Sequence, residues 1–297
     1  MIEFNWSSSK NRLQNHVNNM KTMMEIAITK KKIEIGGVSE KKTFKNGREA
    51  KTSLIRSQKL IYELHEFVKE ELYFYGINKD NIYPPIGEAK PEIKMTGLFK
   101  QKDQDVCVVP SKIKNKKELI TWGPLANTGI YTDYGQYKEE RILATNVRSQ
   151  LSSIEKNSDT LFERMIAEAF NLHYQYPNLV LGELYMIPVY EYEDNKMLNN
   201  SVGFKSKHSP IEKYIKFFSY LNDYSNKNDA YKYTKAGLVI VDFNRSIPKI
   251  YENTLELKKD GLVDDNFDLD LSKLSPISYV YDLLESYNSI WGIDKLD

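Results

Sequence analysis

Asp105 stands at the mouth of an apolar run, Asp105-Val-Cys-Val-Val109, directly after the polar turn Lys100-Gln-Lys-Asp103. A buried strand would hold such a carboxylate rigidly at the edge of a cleft, which is what a hard cation such as Mg²⁺ requires; the plain alternative is a solvated acid at a strand start. Glu71 is a second candidate. At about 100° per residue it falls inside the arc of Leu60, Leu64, Phe67, Val68 and Leu72, where a carboxylate is costly unless it is paired, holds a cation, or reaches water from a frayed last turn. Glu183 interrupts Leu179-Val-Leu-Gly-Glu183-Leu-Tyr185 and needs a partner, either catalytic or a structural Arg or Lys. The run Ile142-Leu-Ala-Thr-Asn146-Val-Arg148-Ser-Gln150 ends in polar groups, among which Arg148 could meet a phosphate. Pro91-Glu92-Ile93-Lys94 has suitable residue types but precedes Asp105, so Glu92 ranks below the others. Glu163 and Glu168 flank Arg164 and read as an ordinary surface ion pair.

The elements that must position these groups follow from apolar spacing. Residues 11–28 read as a helix, and 30–51 as a basic loop with at most a short strand at Ile33-Glu34-Ile35. Ser53 to Tyr75 reads as one helix, capped by Ser53 and stopped by Gly76. Alternation over Glu92–Phe99 and Asp105–Val109 predicts a hairpin, and Arg141–Val147 a third strand. A helix over Asp159–Leu172, a strand over Leu179–Tyr190, a helix over 210–224, a buried strand over 237–243 and a helix over 277–287 complete the chain. The order from residue 53 to 190 is helix, three strands, helix, strand. The expected fold class is therefore α/β (α+β), a mixed sheet flanked by helices. We expect a single domain over 1–297, with a basic amino-terminal helix and loop (1–52), a core (53–190) and peripheral carboxy-terminal elements (191–297).

With 297 residues, 41% of them hydrophobic, the chain can bury a large core, and its net charge of +1 gives no hint of partner. The distribution of charge does. Residues 1–60 hold 13 Lys/Arg against 5 Glu, a balance of 13 − 5 = +8, whereas residues 247–297 hold 5 Lys against 11 Asp/Glu, a balance of 5 − 11 = −6. The first third is expected to face an anion, or else to be a solvated basic surface. One cysteine, Cys107, and four scattered histidines argue against a Cys-rich zinc module, and the single cysteine makes a reducing, cytoplasmic location the default. No apolar run approaches the ~20 residues of a membrane span. The absence of a P-loop, a dinucleotide fingerprint and a nucleophile elbow argues against nucleotide hydrolysis and esterase chemistry.

A helix carrying Glu, a strand with Asp at its mouth, a strand ending in a Glu-x-Lys position, a further helix and a further strand together resemble the common core of the PD-(D/E)XK nucleases, to which many type II restriction endonucleases belong. Gln104-Asp105-Val-Cys-Val-Val is similar to the "PD" element with Gln in place of Pro, and Asn146-Val-Arg148 takes the place of Glu-x-Lys. The likeness covers about the middle half of the chain. It implies a restriction-endonuclease-like mixed sheet and a Mg²⁺-dependent endonuclease that cuts double-stranded DNA at a short sequence. Asp105, Asn146, Arg148 and Glu183 would be catalytic, Mg²⁺ would sit on Asp105 with Glu71 or Glu183, and the enzyme would be a homodimer. Lys30, Lys31 and Lys32, with Lys112 and Lys114, would contact DNA phosphates. The departure is chemical: Asn146 is no carboxylate, and Arg148 is a poor proton acceptor. A non-catalytic DNA-binding protein on the same fold, or a phage or structural interaction protein, is the alternative.

Overall fold

The computed structural model describes residues 3–296. Asn5 accepts a hydrogen bond from the Ser8 amide at 3.0 Å and so caps α1 (Trp6–Lys30), which buries one stripe from Leu13 to Ile28. The next segment departs from the sequence expectation. Gly36 and Gly37, both at positive φ, form a two-residue turn between β1 (Lys32–Ile35) and β2 (Val38–Thr43), so the basic loop is an exposed hairpin followed by α2 (Gly47–Arg56). The single helix expected over 53–75 is also two pieces. Gln58 adopts φ 63°, which breaks the helix between α2 and α3 (Tyr62–Phe74), and no glycine or proline marks the break.

After β3 (Ile82–Tyr83), the hairpin expected between 92–99 and 105–109 is replaced by a shorter one, β4 (Ile93–Thr96) with β5 (Gln101–Gln104). The turn is 97–100, so Lys102 lies in a strand, opposite Met95. β6 (Val106–Val108) belongs to a different sheet. A small pair, β7 (Glu118–Leu119) with β8 (Tyr131–Thr132), and a short α4 (Gln136–Glu139) lead to β9 (Leu143–Ser149), α5 (Ile154–His173) and β10 (Val180–Pro188). α6 (Asp194–Leu198), α7 (Ile211–Leu221), β11 (Lys235–Asp242), β12 (Lys249–Ile250), α8 (Thr254–Lys259) and α9 (Tyr279–Trp291) follow.

The main sheet has six strands in the order β12-β11-β10-β9-β6-β3. β9, β10 and β11 are parallel and carry the apolar runs; β12 and β6 flank them antiparallel, and β3 adds to β6 antiparallel at that edge. The protein is thus of mixed α/β class. Alternation along the strands gives two cores: Val147, Leu184 and Val239 face α1, α3 and α9, while Leu181, Tyr185 and Leu238 face α5 and α7. Residues 191–297 are not peripheral, because β11 pairs with β10 from Gly182 to Pro188 and α9 packs on both strands. Tyr279 of α9 lies so close to the sheet that a Cβ at Gly182 would fall 2.1 Å from its hydroxyl, and one at Gly237 would fall 2.9 Å from its ring. No helix among the described residues is long and apolar enough to cross a membrane.

α1 is fastened to α3 by a charged clamp. His16 is nearly buried, and its Nδ1 lies 2.9 Å from Glu63 and its Nε2 3.1 Å from Glu70. Burial opposes protonation, but the two carboxylates outweigh it and raise the ring to about 9. A raised folded-state pKa stabilises the fold fully below the unfolded value near 6.5, and that stabilisation disappears as pH rises through 9. His16→Gln should therefore cost about 2 kcal/mol at pH 6, allowing for solvent screening at Glu70, and the deficit should shrink steadily toward pH 9.5 in urea melts. A deficit independent of pH would mean that His16 acts by packing alone.

Candidate active site

Where β6 meets β9, the antiparallel ladder stops early. Its last pair on that side is Val106 with Thr145, yet β9 continues to Ser149 along β10. The Val147 amide therefore lacks a strand partner, and Asp105 supplies one: its Oδ2 accepts the hydrogen bond at 2.8 Å. The gap left by the missing strand is a cleft of about 340 Å³. Asp105, Arg148 and Gln150 form its floor, Gln58, Tyr62 and His65 from α2–α3 one wall, and Glu92 and Lys102 from the β4–β5 hairpin the other.

Beneath this floor lies an ionic network. Asn146 and Glu183 are register partners on β9 and β10, and Arg148, two residues beyond Asn146, shares their face. Arg148 Nη1 donates to Glu183 Oε2 at 2.7 Å and its Nη2 to Glu168 of α5. Lys102 Nζ donates to Glu168 at 2.8 Å and to Asn146 Oδ1 at 3.0 Å, and Arg164 Nε donates to Glu168 at 3.0 Å. One turn along α5, Asn171 holds the hairpin turn itself: its Oδ1 accepts from the amides of Phe99 at 2.7 Å and Lys100 at 3.2 Å. α5 thus fixes both the backbone and the lysine of the hairpin.

The environment separates the charges. Burial opposes the ionisation of Glu168, but Arg148 and Lys102 overcome it and hold the carboxyl down at about 2. Burial raises Glu183 to about 7 in spite of Arg148. Burial, reinforced by Arg148, lowers Lys102, and it also lowers His65, which favours a neutral ring. Burial disfavours the charge on Arg148 too, but Glu183 and Glu168 keep it protonated.

Of the seven buried side-chain polar atoms without a hydrogen-bond partner among the described residues, four cluster here: His65 Nε2, Gln104 Oε1, Asn146 Nδ2 and Glu183 Oε1. Unsatisfied buried groups gathered in one place call for a bound ion, water or ligand. Among the described residues no three His, Cys, Asp or Glu side chains form a ready metal cage. Mg²⁺, however, commonly takes one or two carboxylates and completes its shell with water and phosphate oxygens. Asp105, whose Oδ1 makes no hydrogen bond among the described residues, and Glu92, whose Oε2 pairs with Lys90, are the carboxylates lining the cleft, so the donor set fits that mode through Asp105 Oδ1 and Glu92 Oε1.

Asp105, Asn146, Arg148 and Glu183 are thus brought together, while the other candidates lie elsewhere. Glu71 faces α1, where it binds Ser9 Oγ at 2.7 Å and Arg12; at about 100° per residue it is on the opposite side of α3 from Tyr62. Lys30 lies 3.8 Å from Glu34, and Lys31 and Lys32 lead into the β1–β2 hairpin; none of the three lines the cleft. Lys112 and Lys114 follow the far end of β6, at the edge of the sheet opposite Asp105. Glu168 is no surface pair, being 2% exposed. A wheel identifies it, since it falls within about 60° of Leu161, Met165 and Leu172. Lys102 was hidden by the misplaced turn.

No protein-family model, curated protein or solved structure matches the chain.

Removing Glu168 would leave Arg148 and Lys102 with insufficient counter-charge in a buried place. Glu168→Ala should cost about 3–5 kcal/mol in denaturant melts, with Glu168→Gln intermediate. A loss no larger than that of an exposed pair, below about 1 kcal/mol, would show that water compensates the cations.

Proposed function

We propose that the protein is a Mg²⁺-dependent endonuclease that hydrolyses phosphodiester bonds of double-stranded DNA at a short sequence, on a restriction-endonuclease-like form of its mixed sheet. The observation that carries this reading is the end of the β6–β9 ladder, where Asp105 is fixed by the Val147 amide beside a cleft, with the unsatisfied His65 Nε2 on the cleft wall and unsatisfied Asn146 and Glu183 in the ionic network beneath its floor. Asp105 and Glu92 would hold the cation. When bound, Mg²⁺ supplies Lewis-acid polarisation of the phosphoryl group.

The chain's own residues supply the rest. Arg148, kept charged by its two carboxylates, offsets negative charge accumulating on the phosphorus-bound oxygens. It cannot accept a proton. Lys102, an ammonium while it donates to Glu168 and Asn146, would take that role once it has given its own proton to solvent, a loss that burial favours by making the amine less basic. Water attacks phosphorus, its proton passes to Lys102, the P–O bond to the departing nucleotide breaks, and solvent protonates the leaving oxygen. A homodimer reading a two-fold site belongs to the same proposal.

A second reading is a non-catalytic DNA-binding protein on the same fold. It is favoured by the saturation of Arg148, both of whose carboxylate partners lie within the protein.

Incubation of unmethylated plasmid with the protein and Mg²⁺, followed by end mapping, separates the two. Asp105→Asn should lower cleavage by roughly 10²-fold or more while leaving the melting temperature and duplex affinity intact. Wild-type protein that binds duplex without cutting it selects the second reading, and an Asp105→Asn variant that cuts as well as wild type removes Asp105 from the chemistry.

A further inference from the structure

The positive surplus of the first sixty residues is unevenly used. Lys10, Arg12, Lys21, Lys30, Arg48 and Lys59 each lie within ion-pair distance of a carboxylate. Lys42 and Arg56 have no such partner among the described residues, and both line one concavity of about 500 Å³ beside α2. Arg48, Thr52 and Ser53 add donors to its wall, and Glu49 is the one carboxylate among its lining residues. The formal charge of the lining is 3 − 1 = +2, of which one positive charge, that of Arg48, is offset by Asp194 at 2.8 Å just outside it.

Local structure makes this surface. Asn46 Oδ1 accepts from the Glu49 amide at 2.9 Å and Glu49 Oε2 from the Lys45 amide at 3.0 Å, a reciprocal cap that occupies the acid. Arg48, Thr52 and Arg56 then follow at four-residue steps, a row of donors rising about 6 Å per step along one side of α2. Lys42 Nζ rests 4.6 Å from the Phe44 ring centroid, which places its charge at the mouth. The hydroxyls of Thr52 and Ser53 make no hydrogen bond among the described residues and are free to donate. A linear array of cations and hydroxyls with its acid already engaged suits an extended polyanion carrying phosphates at intervals.

The position adds to this. Ile55, at the carboxy-terminal end of the same helix, and Gln58, two residues beyond it, line the Asp105 cleft, so α2 is a wall common to both concavities. We infer that the α2 concavity binds a backbone phosphate of a nucleic-acid strand, flanking the bond held in the cleft. The inference rests on the nuclease reading for what lies in the cleft. Its binding role is measured separately from cleavage.

The test is the variant Lys42→Gln/Arg56→Gln, with a labelled duplex titrated by fluorescence anisotropy in Ca²⁺ across a range of salt. The expected result is weaker binding by a similar factor on unrelated sequences and a salt slope flattened by about 0.9 for each phosphate no longer neutralised, with unchanged circular dichroism. Wild type and variant that bind alike, with equal slopes, would overturn the site, even if wild type cleaves with Mg²⁺. A wild type that binds no duplex overturns it together with the nuclease reading. Polyglutamate that binds wild type but not the variant, while duplex affinity is the same for both, would replace nucleic acid by an acidic peptide. Should the salt-slope difference appear in a protein that cuts nothing, the phosphate site stands and the nuclease reading falls.

Discussion

Glu168 joins three separately built pieces of the chain. Arg148 reaches it from β9, Lys102 from the β4–β5 hairpin, and Arg164 from its own helix. At 2% exposure the carboxylate is shielded from water, so its attractions to Arg148 and Lys102 act through a lower dielectric than a surface pair would, and loss of Glu168 would strand both cations, whereas the largely exposed Arg164 would keep its hydration. Asn171, one turn further on, fixes the hairpin backbone through the amides of Phe99 and Lys100. A single face of α5 therefore sets where the hairpin stands relative to the sheet. The width of the cleft depends on that placement, because Glu92 and Lys102 form its outer wall.

The cleft itself is an unpaired strand edge put to use. Beyond Thr145, β9 has β10 on one side and no strand on the other, the situation that proteins cover or cap because free amides invite pairing with another chain. Here the cap is a carboxylate. Asp105 satisfies Val147 with one oxygen and keeps the other, so the group that closes the ladder is also the group with an acceptor left over. Structural capping and ligand capacity reside in the same side chain. The neighbouring unsatisfied atoms of His65, Gln104, Asn146 and Glu183 are consistent with a surface organised around something it binds.

Much of this is legible in the amino-acid sequence alone. The apolar runs of β9, β10 and β11, the helices α1, α5 and α9, and the position of Asp105 at a strand mouth all follow from spacing and alternation, because burial enforces them. The split between α2 and α3 does not, since Gln58 takes a left-handed conformation that its residue type does not announce. The Gly36-Gly37 turn was readable by its two-residue form between Ile35 and Val38. In the β4–β5 hairpin a turn placed a few residues too late changes which residues are strand, and with a period of two that decides whether Lys102 points to the core or to solvent. Glu71 illustrates the converse. Its place within an apolar arc was correct, but the partner that explains it is Arg12, 59 residues earlier in sequence and invisible to local pattern.

Charge is distributed so that the cleft and its surroundings play different parts. Asp105, Glu92 and the ionised Glu168 stand against Lys102, Arg148 and Arg164, and Glu183 adds at most a fraction of a charge near neutral pH, so the cleft is close to electrically balanced. A balanced pocket exerts little pull on a polyanion at a distance, and at physiological salt fields from elsewhere on the molecule decay over roughly 8–10 Å. Any attraction must therefore come from cations close to the cleft that are not already neutralised. The acidic tail partly consumes the amino-terminal surplus, as Lys10 does with Glu252. Of the cations in the first sixty residues that have no carboxylate partner among the described residues, Lys42 and Arg56 line the α2 concavity. Capture and chemistry would then be assigned to two concavities that share one short helix, so that the cleft can stay nearly neutral, and its lysine weakly basic, without sacrificing the attraction that brings a charged strand to it.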